Sequence, residues 1–219
     1  MFAVMQDYSA RLSKYMPAAA APVIARWIAD SGCQFRISRS RATKLGDYRP
    51  PFNSRGHRIS VNHNLNPYAF LITTVHEFAH LATWERHRNR VRPHGPEWKM
   101  HFKRLMLPFL DGQIFPLDVD AALRRHINNP SAASCTDRKL MTVLRRYNQV
   151  TEGLHTVESL SDGALFKLKN GRVFRKLAKL RVRHRCIELK TRRLYLFHPL
   201  AEVMPVTPEP AATPTGSPA

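Results

Sequence analysis

His76, Glu77 and His80 stand in an H-E-x-x-H pattern, a spacing at which two imidazoles and a carboxylate can serve metal-assisted hydrolysis. Side chains four apart on a helix leave from one face, so His76 and His80 can converge on a single ion. Glu77 is one step round, near enough to the ion's open coordination position to act as a general base without being a ligand. Catalytic zinc takes three protein ligands and keeps one position open, and His87 and His94 are the nearby candidates for the third. If the helix continues, the seven residues from His80 to His87 span roughly 10 Å at 1.5 Å per residue, too far to share an ion that holds nitrogen at about 2 Å. His94 follows Pro93 and precedes Gly95, whose conformational freedom permits a sharp return of the backbone over the helix. The expected site is therefore His76, His80 and His94 around one catalytic Zn²⁺, with Glu77 as the catalytic base. His57, His63, His87 and His101 stay unassigned, and Glu97 and Trp98 read as cap and core residues in preference to supports of the site.

These side chains need a buried helix to hold them. Leu71, Ile72, Val75, Phe78, Ala79 and Ala82 recur at helical spacing, predicting a helix from about Tyr68 to about Arg88, with Asn66-Pro67 as its start signal. A second helix is expected from about Glu97 to Leu107, and two more over 117–149 separated by Asn128 to Ser134. Residues 5–30 read as one or two helices, with Pro22 in a first turn. Residues 34–40 and Arg58 to His63 alternate as strands; the second is expected to present a substrate-pairing edge to the helix. Arg41 to Gly56 holds Gly46-Asp47 and Pro50-Pro51, which are turn signals.

Beyond about residue 150 the pattern becomes β-type. Leu165 to Lys169 and Val173-Phe174 flank Asn170-Gly171, a strong hairpin signal. Further strands are expected at Lys179 to Arg185, Cys186 to Lys190 and Leu194 to Phe197. The tail from Thr207 to Ala219 is Pro, Ala, Thr and Ser, a composition that predicts disorder. The fold class is α+β: an N-terminal helical segment (1–34), a catalytic domain with a small antiparallel sheet (35–150), a basic β-rich appendage (151–204) and a tail (205–219).

Thirty-five Lys and Arg against 16 Asp and Glu give the 219 residues a formal charge of +19, a balance that favours polyanionic partners, nucleic acid first. The cations are densest at Lys167, Lys169, Arg172, Arg175, Lys176, Lys179, Arg181, Arg183 and Arg185, with Phe166, Phe174 and Tyr195 between them. Such residues can contact phosphates and stack unpaired bases. Cys33, Cys135 and Cys186 are odd in number and widely spaced, so neither a disulfide framework nor a cysteine zinc site is indicated. With no secretory pattern and no membrane-length apolar run, a cytoplasmic protein is expected, nucleoid-associated if it binds DNA. Nothing in the pattern fixes an oligomeric state.

Taken with the segment through Trp98, the chain resembles the SprT-like (Spartan-type) metalloprotease family. The resemblance is carried by Ile59-Ser60-Val61-Asn62, Thr74-Val75-His76-Glu77-Phe78-Ala79-His80-Leu81 and Pro93-His94-Gly95-Pro96-Glu97-Trp98-Lys99. Arg39-Ser40-Arg41-Ala42-Thr43 also looks like the family's segment before its edge strand, and the likeness covers about residues 35–107. It implies a zincin-like core that cleaves proteins, often ones bound or crosslinked to DNA, and it places the third zinc histidine at His94. Members of the family often carry a cysteine zinc ribbon after this core. Here the corresponding stretch holds only Cys186, so DNA binding through such a ribbon does not carry over. The competing expectation is a zinc-stabilised nucleic-acid-binding protein that cuts nothing; a general base at Glu77 speaks against it.

Overall fold

The structure, a computed structural model, describes residues 8–41, 44–128, 137–148 and 153–206. The chain divides into two compact units, residues 1–149 and 150–219. Some sequence expectations fall on the segments between these residues, including Asn128 to Ser134 in most of its length and the tail from 207, and so lie outside the described residues.

The first unit orders its elements as α1 (Ala21–Ser31), β1 (Gln34–Ser38), β2 (Gly46–Arg49), β3 (Arg58–Asn62), α2 (Pro67–His87), α3 (Pro96–Asp111), α4 (Leu117–Asn128) and α5 (Arg138–Arg145). Helix α1 carries Pro22 in its first turn and ends at Gly32, whose φ of 59° is the left-handed conformation that glycine adopts without penalty. Helix α2 is the axis of the unit. Asn66 caps it by accepting the Ala69 N–H at 2.9 Å, and Pro67 occupies the first turn, where a missing N–H costs nothing. From Ala69 to Ala79 every residue is buried, because β2 and β3 cover one side while α3 packs on another. Asn66 also donates its amide to the Leu144 carbonyl at 2.8 Å and to Asn148 Oδ1 at 2.7 Å, tying the helix start to the end of α5.

The three strands run in the order β1-β3-β2. β1 and β3 are parallel, with Phe35 opposite Ile59, and β2 is antiparallel to β3, with Tyr48 opposite Ile59. This corrects two expectations. The sheet is mixed, since the crossover from β1 to β3 is long enough for a parallel return. Arg58–Asn62 is the central strand, with Ile59 and Val61 in the core. The edge beside the helix is β2, formed by the Gly46-Asp47 stretch that read as a turn; pairing with β3 overrides the local turn propensity.

In the second unit a six-stranded sheet runs β4-β9-β5-β6-β7-β8: His155–Thr156, Glu202–Val206, Leu165–Lys167, Val173–Leu180, Arg183–Glu188 and Leu194–Phe197. Val157, Phe166, Phe174, Cys186 and Val203 form its core. The expected Asn170-Gly171 hairpin is present, with Gly171 at φ 83°. The expected strand over Lys179 to Arg185 is not. Arg181 at φ 51° turns the chain there, so Leu180 pairs with Arg183 and one apparent run becomes the end of β6 and the start of β7.

Candidate metal centre

Helix α2 sets His76 and His80 on adjacent turns, and the loop before α3 returns His94 to them. The Nε2 atom of His76 stands 3.2 Å from that of His80 and 3.1 Å from that of His94. Two bonds of about 2.0–2.1 Å to one ion, meeting near the tetrahedral angle, separate their nitrogens by roughly 3.3–3.4 Å. The three histidines thus fit one metal ion. Burial, reinforced by the neighbouring imidazoles, pushes His76 down to about 2 and His80 down to about 4; burial lowers His94 as well. All three are neutral near pH 7, the state in which a ring nitrogen can donate its lone pair to a metal.

The return of the loop is made by His94 itself, at φ 60°, and not by Gly95, which is extended at φ −70° and caps α3. Histidine is among the residues enriched in the left-handed region. Gly95 is required for a different reason: a Cβ there would stand 3.0 Å from the Arg92 carbonyl oxygen. His87, set aside on distance, points instead toward His101, their ring centroids 6.4 Å apart.

Trp98 does more than fill the core. Fully buried, it stacks on Phe102 at 5.1 Å and packs its ring against His76 at 4.6 Å, His94 at 4.8 Å and His80 at 5.4 Å. The expected core packing of Trp98 is present, and the same indole also lies against all three imidazoles. Glu97 is an acidic residue in the first turn of α3.

Glu77 is buried beneath β2. The Tyr48 backbone N–H donates to its carboxylate, and Gly46 lies so close that a Cβ there would come within 2.3 Å of Oε1. Burial, with Asp47 nearby, pushes the Glu77 carboxyl up to about 8, while Arg41, Lys44 and the Tyr48 N–H pull it back. Glycine at 46 is thus a steric requirement of the carboxylate, one that a sequence reading of Gly46 as a turn residue misses. Tyr48 and His57 were missed as well. Tyr48 stacks parallel to His80, centroids 6.3 Å apart and planes 3° apart, and its hydroxyl meets His57 Nδ1 at 2.9 Å. His57 Nε2 in turn meets Glu85 Oε1 at 2.6 Å. Local alternation could have placed Tyr48 on a strand; its approach to His80 is purely tertiary.

A cleft of about 300 Å³ opens beside His80 and His94, walled by Tyr48, Pro50, Thr83, Trp84, Val91 and Trp98. Arg88 lies over the Trp84 ring at 4.0 Å and contributes to its lining.

In the second unit, Lys167, Lys169, Arg175, Lys179, Arg181, Arg183 and Arg185 are exposed. Two of the expected nucleic-acid contacts have partners within the unit. Lys176 is buried and donates to the Leu160 carbonyl at 2.5 Å, with Asp162 at 3.4 Å. Arg172 forms a two-point pair with Glu188, at 2.7 and 3.1 Å, and lies over Phe174 and Tyr195. Phe166 and Phe174 are fully buried and stacked on each other at 5.6 Å, so neither offers a face to a base. Strand alternation put the aromatics inside, where the small core needs them.

Fold and site together define an α+β unit with a three-histidine centre able to hold a metal ion, with the buried carboxylate of Glu77 next to His76 in the chain. Residues 18–117, which contain this centre, match the SprT-like family model. Protein SprT of Enterobacter sp. (strain 638) is 34% identical over 100 residues, covering 45% of this chain and 56% of that protein. Protein SprT of Escherichia coli O157:H7 is 36% identical over 90 residues, covering 40% of this chain and 50% of that protein, as is the protein of Escherichia coli (strain K12). The chain thus spans about half the length of the curated relatives it matches, and the second unit lies outside the family match. No solved structure matches. No helix among the described residues is long and apolar enough to cross a membrane.

Proposed function

We propose that this protein is a zinc-dependent endopeptidase with a zincin-like core, acting on proteins, those held on or crosslinked to DNA foremost. The observation that carries the reading is the convergence of three neutral imidazoles, two of them flanking a buried carboxylate, at one end of a cleft with an open strand edge. His76, His80 and His94 are the residues that would hold the ion. Zn²⁺ held there supplies a Lewis acid that activates water and polarises a peptide carbonyl, and its charge favours the ionised form of the neighbouring carboxylate.

Glu77 takes the proton from the attacking water and passes it to the leaving amine. Its burial under Gly46 and its bond from the Tyr48 N–H hold the carboxylate in one orientation, which general-base catalysis requires. Strand β2 pairs with β3 on one side only, so an extended peptide can add along its open edge. The apolar walls of Tyr48, Pro50, Trp84 and Val91 suit a hydrophobic side chain next to the scissile bond. The exposed cations of the second unit support DNA as the surface on which substrates are met.

The test compares zinc-loaded protein with its Glu77→Gln variant on a DNA-bound protein, with and without DNA. Cleavage by the parent alone, at equal zinc content, is the expected result. Equal cleavage by the variant, or none by either, would overturn the reading, and the second outcome would favour a zinc-stabilised binding protein.

A further inference from the structure

A second cleft, of about 470 Å³, lies in the first unit and shares no lining residue with the one beside the histidines. It is lined by residues of the N-terminal segment, by residues 35–38 of β1 with Arg39 just beyond it, and by His63. Four consecutive residues of a strand line one cavity only when the strand presents its edge, because alternate side chains would otherwise leave by opposite faces. β1 is an outer strand, paired with β3 alone, so its open edge backs the cleft.

Four cations ring this cavity: Arg11, Lys14, Arg36 and Arg39, all exposed. No acidic residue lines it, and among the described residues none of the four is ion-paired. Between them stand three half-buried rings. Tyr15 stacks on the buried Phe70 at 5.6 Å, Phe35 stacks on Phe78 at 6.5 Å, and Tyr8 carries the Arg11 guanidinium 5.9 Å from its centroid. Tyr15 and Phe35, held from behind by core aromatics, offer fixed platforms, and unpaired cations around them attract a polyanion.

We infer that this cleft binds a single-stranded nucleic acid, its phosphates on Arg11, Lys14, Arg36 and Arg39 and its bases on Tyr8, Tyr15 and Phe35. Unpaired cations interleaved with anchored aromatic rings match a chain of alternating phosphates and flat bases. An acidic peptide could satisfy the cations and the open edge but gives the rings no partner. The inference requires no hydrolysis at the histidines, so it stands or falls separately from the proposed activity. It places nucleic-acid binding on the same unit as the metal centre, beside whatever the cations of the second unit contribute.

The test uses the full chain and fluorescein-labelled oligo(dT) and oligo(rU), with affinity read by polarisation across a salt series. Each single-strand phosphate contact contributes about 0.7 to the slope of log affinity against log salt, so Arg36→Ala/Arg39→Ala should shallow it by about 1.4. Tyr8→Ala/Tyr15→Ala should weaken binding at least about fivefold with the slope retained, since rings contribute stacking and not counterion release. Because cations of the second unit also bind polyanions, Arg175→Ala/Arg185→Ala serves as the comparison, and photocrosslinked bromouracil oligonucleotide is mapped by mass spectrometry. Crosslinks at Tyr8, Tyr15 or Phe35 support the inference. Crosslinks confined to residues 153–206 with an unchanged slope in Arg36→Ala/Arg39→Ala would overturn it. So would oligo(Glu) displacing the oligonucleotide with equal affinity while the tyrosine variant is silent, an outcome that assigns the cleft to acidic peptides. Binding of oligo(dT) alone, or of both oligomers, separates DNA from RNA within the same chemistry.

Discussion

Replacing Gly46 by alanine tests whether β2 positions Glu77, the proposed base. The added methyl carbon would stand 2.3 Å from Glu77 Oε1, 2.8 Å from its Cγ and 2.8 Å from Thr73 Cγ2. Ordinary contact begins at about 3.5 Å, so the carboxylate must retreat by roughly 1 Å or β2 must lift away. A misplacement of about 1 Å at a reacting group costs about 10²-fold in rate, equivalent to about 2.7 kcal/mol of transition-state stabilisation. Overpacking of this kind costs about 1–3 kcal/mol of stability. The histidine nitrogens are not among the atoms struck, so zinc content should hold at the parental value while kcat/KM on a protein substrate falls about 100-fold. Zinc is measured by elemental analysis, turnover by gel-resolved cleavage and stability by thermal unfolding. Adding Thr73→Ser removes one of the three clashes and should recover part of the stability without the rate, because Glu77 is still displaced. Parental turnover in Gly46→Ala would refute the claim that the strand fixes the carboxylate. Loss of zinc together with activity would show instead that the histidine scaffold collapses.

Further outcomes follow from other parts of the structure. His94→Ala should lower zinc stoichiometry and the midpoint of unfolding together, since a bound ion at 100 times its Kd stabilises the folded state by about 2.7 kcal/mol; chelation of the parent should reproduce the shift. Asn66→Ala removes the cap of α2 and its bonds to Leu144 of α5 and to Asn148 beyond it, and should cost about 1–2 kcal/mol or more, read as a lowered midpoint in denaturant. Glu188 is held down to about 2 by Arg172, with Thr191 and Tyr195 also on its carboxylate. Its folded-state pKa lies below the unfolded value, so its contribution to stability is full above about pH 4.5 and is lost as pH falls toward 2. Acid unfolding of the second unit followed by near-UV signal should lose this pH dependence in Glu188→Gln, whose baseline stability will also be lower.

The three-histidine cluster was largely legible because its information is local. His76 and His80 share a face by helical geometry alone, and the rise per residue excluded His87 and left His94. Helix α2 was equally plain, since Asn66-Pro67 opens it and buried apolar residues run through it. The second unit was readable as β-rich, although alternation did not reveal the turn at Arg181 that divides one run into two strands.

What only the tertiary structure decided is which side chains meet across elements. A period of two predicts that Lys176 lies on one face of its strand; that this face is the core, and that Leu160 and Asp162 receive the ammonium there, depends on a chain segment 14 to 16 residues away. The same holds for Gly46. Its sequence context signals a turn, yet pairing with β3 makes it an edge strand whose missing Cβ leaves space for Glu77. Trp98 against three imidazoles, and Tyr48 between His80 and His57, are likewise consequences of long-range packing. Residue type and spacing set which chemistry is available through bonds and local periodicity; the orientation of the groups that perform it comes from contacts between segments distant along the chain.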